Sequence, residues 1–133
     1  MRYLIALLAL TGLVISCFAL REHFRTEPSP CSINERWDCG AVNHSPFAEL
    51  EGVPVAVFGI LGYAAIAGFA LARRWWIVLL LTTGALGFSM YLTYIEARVL
   101  ETYCIWCVSS AGVITLTEVA AIVAVTRKRK LAT

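Results

Sequence analysis

The stretch CIWCVSSAGVITLTEVAAIVAVT, from Cys104 to Thr126, decides the fold class of this protein. As an α-helix that rises 1.5 Å per residue it would be about 34 Å long, enough to cross a hydrocarbon core of about 30 Å. Its only acidic or basic residue is Glu118. The stretch therefore predicts a transmembrane helix that opens with a pair of cysteines.

Three further apolar runs occupy about residues 3–20, 54–72 and 75–95. Hydrophobic residues make up 59% of the 133 residues and charged residues 15%. A small soluble domain could not bury that much apolar surface away from water. Lipid offers no partners to free backbone amides, and the runs lack the alternation of barrel strands, so helices are the expected form. We predict a single all-α membrane domain over residues 1–133, a bundle of four transmembrane helices.

The charged residues between the runs indicate how the bundle lies in the membrane. Basic residues stand at Arg2, at the pair Arg73–Arg74 and at 127–130, whereas the loop 21–53 and the turn 96–103 carry more acidic than basic residues. Basic residues are enriched on the cytoplasmic side, so both termini are expected in the cytoplasm and the loop outside. The net charge of +2 is too small to favour a nucleic-acid partner.

The first run leaves an alternative open. The residues up to Ser16, followed by Cys17, resemble a bacterial lipoprotein signal, in which residues 1–16 would be removed and Cys17 lipidated. Apolar residues continue through Leu20 instead of giving way to a polar linker. We therefore favour a retained span in which Cys17 is a small buried apolar residue.

Cys104 and Cys107 form a CxxC pair at the expected start of the fourth helix. Residues three apart share one face of a helix, and the positive end of the helix dipole stabilises a thiolate. A lowered thiol pKa is what a redox-active pair requires. No histidine follows Cys107, which excludes c-type haem attachment. A static disulfide remains an alternative.

A second cysteine pair, Cys31 and Cys39, lies in the outer loop. Ser32 and Glu35 have the spacing of a capping box, which predicts a short helix that carries Cys39 near its end. Such a pair can exchange disulfides with a soluble protein, although it could also be a loop staple. A zinc site made of both cysteine pairs is a weaker alternative, because the Cx7C spacing is loose, and no metal is expected.

At these residues the chain resembles the vitamin K epoxide reductase family in its single-domain bacterial form. The resemblance covers nearly the whole chain from Cys31 to about Thr117. It rests on the loop pair Cys31…Cys39, on Ser45, on the segment GVPVAVFG at 52–59, on YLTY at 91–94 and on CIWC at 104–107.

The resemblance implies a membrane thiol oxidoreductase that couples disulfide formation in extracytoplasmic proteins to the reduction of a quinone. Electrons would pass from a DsbA-like, thioredoxin-fold partner to Cys31–Cys39, then to Cys104–Cys107, and finally to ubiquinone or menaquinone. The enzyme would lie in the bacterial inner membrane with its active site on the outer side. By position, Cys107 would face the quinone.

Three other residues take expected roles from the resemblance. Phe58 and Gly59 would line the quinone pocket, and Ser45 would act on the site through a hydrogen bond. Ser45-Pro46 also has the pattern of a helix N-cap followed by proline, which gives Ser45 a structural alternative.

Two positions depart from the animal members of the family. Val55 and Ala111 stand where those enzymes carry an asparagine and a tyrosine that hydrogen-bond vitamin K. Their absence argues against epoxide reduction and leaves quinone reduction untouched. Two alternatives stay open: a quinone or vitamin K epoxide reductase, and a non-enzymatic tetraspan protein with structural disulfides.

Glu118 is an ionisable residue inside the fourth run, and such residues are functional candidates by default. The basic block at 127–130 follows about two turns later, so we expect the Glu118 side chain to extend towards the cytoplasmic face.

Overall fold

The computed structural model describes residues 2–24, 37, 49–50, 52–101 and 103–132. This part of the chain is helical apart from a short hairpin, one isolated bridge and the turns between helices. Its elements are α1 (Arg2–Phe24), β1 (Glu49–Leu50), β2 (Val53–Pro54), α2 (Val55–Leu71), α3 (Trp75–Ile95) with a π-helical continuation (Glu96–Leu100), and α4 (Ile105–Ala132).

Three helical segments are long and apolar enough to cross a membrane: Arg2–Glu22, Trp75–Val99 and Ile105–Lys130. Helix α2 has 17 residues, about 26 Å, because the hairpin precedes it and the turn at Arg73 follows it. The prediction of an all-helical fold with four apolar helices is confirmed for the described residues, three of them with the length of a full span. The cysteine-bearing loop and its predicted short helix lie outside the described residues.

Helix α1 continues past its predicted end at Leu20 to Phe24, without a break at Cys17. The prediction that Cys17 is buried is wrong: its side chain is exposed, on a face of α1 that the other described helices leave uncovered. An exposed cysteine on an apolar helix is compatible with lipid around it. Removal of residues 1–16 stays an untested alternative.

The end of α3 differs from the turn predicted at 96–103. The segment Glu96–Leu100 carries no glycine or proline that would stop a helix, and the chain widens there into one turn of π-helix. The turn ends at Glu101, whose backbone is left-handed (φ 52°) and whose N–H bonds the carbonyl of Glu96. A π-helical turn shifts the register of the residues around it and is frequent at functional sites.

The four helices form a closed ring in the order α1, α2, α3, α4. Helix α1 packs closely against α2 and α4, and α4 against α3, whereas the contact between α2 and α3 is the least extensive of the four. Each helix contributes a fully buried branched apolar side chain to the core: Ile5, Ile66, Val78 and Ile114.

Glycine allows α1 and α2 to approach closely. A Cβ atom on Gly12 of α1 would overlap the ring of Tyr63, and a Cβ on Gly59 of α2 would lie 2.8 Å from the hydroxyl oxygen of Ser16. Helices in membranes associate through close packing at such small residues, because the hydrophobic effect does not drive helix association in lipid. The Tyr63 ring therefore occupies space that is free only because residue 12 is glycine and has no side chain.

The turn after α2 has the hydrogen bonds of a Schellman motif. The N–H of Arg73 bonds the carbonyl of Ala70 at 3.1 Å, and the N–H of Arg74 bonds that of Phe69 at 2.9 Å. The motif requires a left-handed residue, and Arg73 adopts φ 59° there. Glycine is the usual residue at this position, so Arg73 holds a strained backbone.

We expect the Arg73→Gly protein to be more stable than Arg73→Ala by about 1 kcal/mol, because both lose the charge but only glycine adopts this φ without a clash. Thermal unfolding of the two purified variants in the same detergent measures the difference. Equal melting temperatures would contradict the strain at Arg73.

We expect Gly12→Val to destabilise the bundle by about 1–3 kcal/mol, because the added atoms overlap the ring of Tyr63. Gly68→Val on α2 is the matched control, since a Cβ at Gly68 meets nothing within 4 Å. Thermal unfolding in detergent reports both. A Gly12 variant as stable as the Gly68 variant would show that the close approach does not matter.

Candidate functional site

The CxxC pair lies at the start of α4, as the sequence predicts. Cys104 precedes the first helical residue, and its carbonyl accepts the N–H of Val108 at 3.0 Å, so it occupies the N-cap position. Its side chain is fully buried, and that of Cys107 is partly buried, one turn into the helix. The two thiols hydrogen-bond each other, which brings both sulfur atoms to the positive end of the α4 dipole.

Glu96 joins the end of α3 to this pair. Its side chain is only 3% exposed, and its carboxylate accepts hydrogen bonds from the backbone N–H of Cys104 and from the thiol of Cys107. The sequence pattern does not single out Glu96, because an acid at the outer end of an apolar run resembles a solvated loop residue. The one sequence feature that could have pointed to Glu96 is its position eight residues before Cys104.

A cavity of about 390 Å³ opens inside the bundle below the cysteines. This volume is within the range of pockets that bind small organic molecules, and the walls are mostly apolar. All four helices line it, and most of the lining residues belong to α2 and α3. The wall includes Cys107, Phe58, Gly59, Glu96 and Trp106.

Three residues that the family resemblance assigns to a quinone site thus lie on one cavity: Cys107, Phe58 and Gly59. Val55, at the position of the animal asparagine, also lines it and offers no hydrogen-bonding side chain. Cys31, Cys39 and Ser45 lie outside the described residues, so their predicted roles stay predictions.

Two buried polar atoms on the cavity-lining residues have no hydrogen-bond partner within the described part of the chain. They are Nε1 of Trp106, a donor, and Oε2 of Glu96. Buried polar groups in proteins are nearly always paired, so orphaned atoms beside a cavity indicate a missing polar ligand. A quinone fits the site, because its ring suits the apolar walls and a carbonyl oxygen can accept from the N–H of Trp106; it can pair with Oε2 of Glu96 when that carboxyl is protonated.

A second polar pair lies further along the same wall. The hydroxyl of Tyr63 donates to the carbonyl of Ser110 at 2.9 Å and lies 2.9 Å from the Ser110 hydroxyl. Ser110 follows Cys107 by three residues and so shares its face of α4. This pair is satisfied internally, in contrast to Trp106 and Glu96.

Aromatic contacts surround the N-terminal end of α4. The Trp106 ring stacks on Phe18 of α1, with 4.9 Å between ring centroids. Trp37 forms a parallel bridge with Tyr103, and their rings lie 5.4 Å apart. Trp37 therefore lies beside the residue that precedes Cys104.

Glu118 lies away from the site. Its carboxylate accepts a hydrogen bond of 2.8 Å from the hydroxyl of Thr83 on α3, and neither residue lines the cavity. The side chain thus bonds across the bundle, where we expected it to extend towards the cytoplasmic face. Among the described residues, no group of three or more His, Cys, Asp or Glu could hold a metal ion.

Comparison with known protein families agrees with this arrangement. A sequence model of the vitamin K epoxide reductase family matches residues 3–122, which is most of the chain and includes the CxxC pair and the cavity-lining residues. The members of that family are membrane-embedded oxidoreductases. This chain therefore belongs to the vitamin K epoxide reductase family.

Proposed function

We propose that this protein is a quinone-dependent thiol oxidoreductase that forms disulfide bonds in extracytoplasmic proteins. The observation that carries the proposal is the position of Cys107, which hydrogen-bonds Cys104 on one side and lines the cavity on the other. A dithiol in contact with a pocket of this size can pass two electrons directly to a ligand held there.

The cavity supports ubiquinone or menaquinone as the acceptor. The Phe58 ring offers an aromatic face for a quinone ring, and the indole N–H of Trp106 offers a donor to a quinone carbonyl. Val55 and Ala111 supply neither an amide nor a phenol, so the proposed acceptor is a respiratory quinone and not vitamin K epoxide.

The outer loop supplies the route for electrons into the CxxC. We place Cys31–Cys39 as the pair that exchanges with a DsbA-like, thioredoxin-fold protein, and Cys104 as the sulfur that exchanges with Cys39. The contact between Trp37 and Tyr103 supports this route, because Trp37 is two residues from Cys39 in the sequence and Tyr103 directly precedes Cys104. Ser45 would act on the site through a hydrogen bond.

The electrons balance along this path. Each exchange is an attack of a thiolate on a disulfide through a mixed disulfide, so one bond between sulfur atoms breaks as another forms. The partner leaves as a disulfide, Cys104–Cys107 is reduced, and its reoxidation delivers two electrons and two protons to give a quinol. We propose that this chemistry takes place on the outer face of the bacterial inner membrane, and the basic residues at the opposite ends of the helices support that orientation.

We expect Cys104→Ala and Cys107→Ala each to lower quinone reduction at least about 100-fold, because either change removes a reacting sulfur. Quinol formation from a short-chain ubiquinone, with a reduced thioredoxin-fold protein as donor, is the measurement. Cys17→Ala is the matched control and should keep wild-type activity, since Cys17 is an exposed cysteine in α1 outside the cavity. Unchanged quinone reduction in the Cys107 variant would rule out the proposal.

We expect Gly84→Phe to raise the KM for quinone at least about tenfold, because Gly84 lines the cavity and nothing near its Cα would stop a ring from filling that space. Gly87→Phe is the control on the same helix, at an exposed glycine outside the cavity. Thiol exchange with the partner, followed separately, should be the same in both. Equal quinone KM values would place the quinone elsewhere.

A further inference from the structure

Glu96 has a buried carboxyl group that contacts the CxxC pair, and Glu96 also lines the cavity. The carboxylate accepts hydrogen bonds from the thiol of Cys107 and from the backbone N–H of Cys104. Its second oxygen, Oε2, is buried and has no hydrogen-bond partner within the described part of the chain. No other acidic residue among the described ones lines this cavity.

The proposed reaction requires proton transfers where water is scarce. Two thiols lose two protons and two electrons when Cys104 and Cys107 form a disulfide, and a quinone gains two of each when it becomes a quinol. A thiol is a poor nucleophile until its proton is removed, so the rate depends on a base within hydrogen-bond distance. Glu96 meets that geometric condition for Cys107.

We propose that Glu96 is a catalytic acid–base residue that takes the proton of the Cys107 thiol and delivers it to the quinone oxygen. The inference rests on the proposed function and adds the route of one of the two protons. The second proton comes from the Cys104 thiol as its sulfur bonds to that of Cys107. One S–S bond forms, two S–H bonds break, and the quinone acquires two O–H bonds.

The local backbone holds Glu96 in this position. The π-helical turn begins at Glu96, and the left-handed Glu101 closes it with a hydrogen bond to the Glu96 carbonyl. The N–H of Cys104 fixes the carboxylate from the other side. The titratable groups that face the Glu96 carboxyl in the described structure are the thiols of Cys104 and Cys107.

The test is the reduction of a short-chain ubiquinone by dithiothreitol, catalysed by the full-length protein in nanodiscs. We expect Glu96→Gln to lower kcat about 100-fold or more, because the amide keeps the shape and the bond to Cys104 but cannot accept a proton. The KM for quinone should change less than about threefold. The rise of kcat with pH that follows deprotonation of Glu96 should be absent in this variant.

Two further variants make the result decisive. Glu118→Gln is the matched control, since Glu118 lies outside the cavity and its amide would still accept the hydrogen bond from Thr83, and it should keep wild-type kcat and pH profile. Glu96→Asp should be slower than wild type but keep the pH-dependent rise, because it retains a carboxyl. If the Glu96→Gln protein cannot be recovered folded, the Glu96→Asp protein provides the test. Loss of the rise of kcat with pH in Glu96→Asp would overturn the inference.

The outcome separates this inference from the function on which it rests. If Cys107→Ala abolishes quinone reduction while Glu96→Gln keeps the wild-type kcat and pH profile, the role of Glu96 is wrong and the function stands. If Cys107→Ala itself leaves quinone reduction unchanged, the function fails. A fall in kcat for Glu96→Gln with an unaltered pH profile would reduce Glu96 to a structural support and overturn the inference.

Discussion

The hydrogen bonds between Glu96 and the first turn of α4 are the interaction on which the site depends. They join the end of α3 to the N-cap residue Cys104 and to the thiol of Cys107. A buried carboxylate that lost these donors would be left without compensation in a low-dielectric setting, so the contact also keeps α3 and α4 in register. The π-helical turn makes the contact possible, since it brings Glu96 against α4 before the chain reverses.

The bundle around this contact has an apolar outer surface and an internal cavity. Its outer surface is apolar and suits lipid, and its interior leaves a cavity where α2 and α3 pack least closely. Close packing is concentrated instead between α1 and α2, where glycine removes the side chain that would keep the helices apart. Close packing on one side of the bundle and looser packing on the other thus leave the cavity on which Cys107 lies, where the proposed quinone would bind.

Much of this arrangement could be predicted from the sequence. The features that could not be predicted depend on contacts between residues that are distant in the chain. Apolar runs and their basic flanks predict four helices, because lipid permits few other structures, and the CxxC pair predicts its own place at a helix start. The π-helical turn and Glu96 could not be predicted, since an extra residue in a turn leaves no sequence signature and a buried acid depends on partners distant in the chain. The Glu118–Thr83 bond escaped for the same reason, because it joins two helices.

The most direct measurement is a single turnover of the reduced protein. The enzyme, reduced and then freed of reductant, is mixed without oxygen with one equivalent of a short-chain ubiquinone, and quinol and disulfides are quantified by absorbance and peptide mass spectrometry. We expect one quinol for each disulfide formed, whether it is found at Cys104–Cys107 or, after internal exchange, at Cys31–Cys39. Quinol formed while all four of these cysteines remain thiols, or a disulfide formed without quinol, would contradict the account.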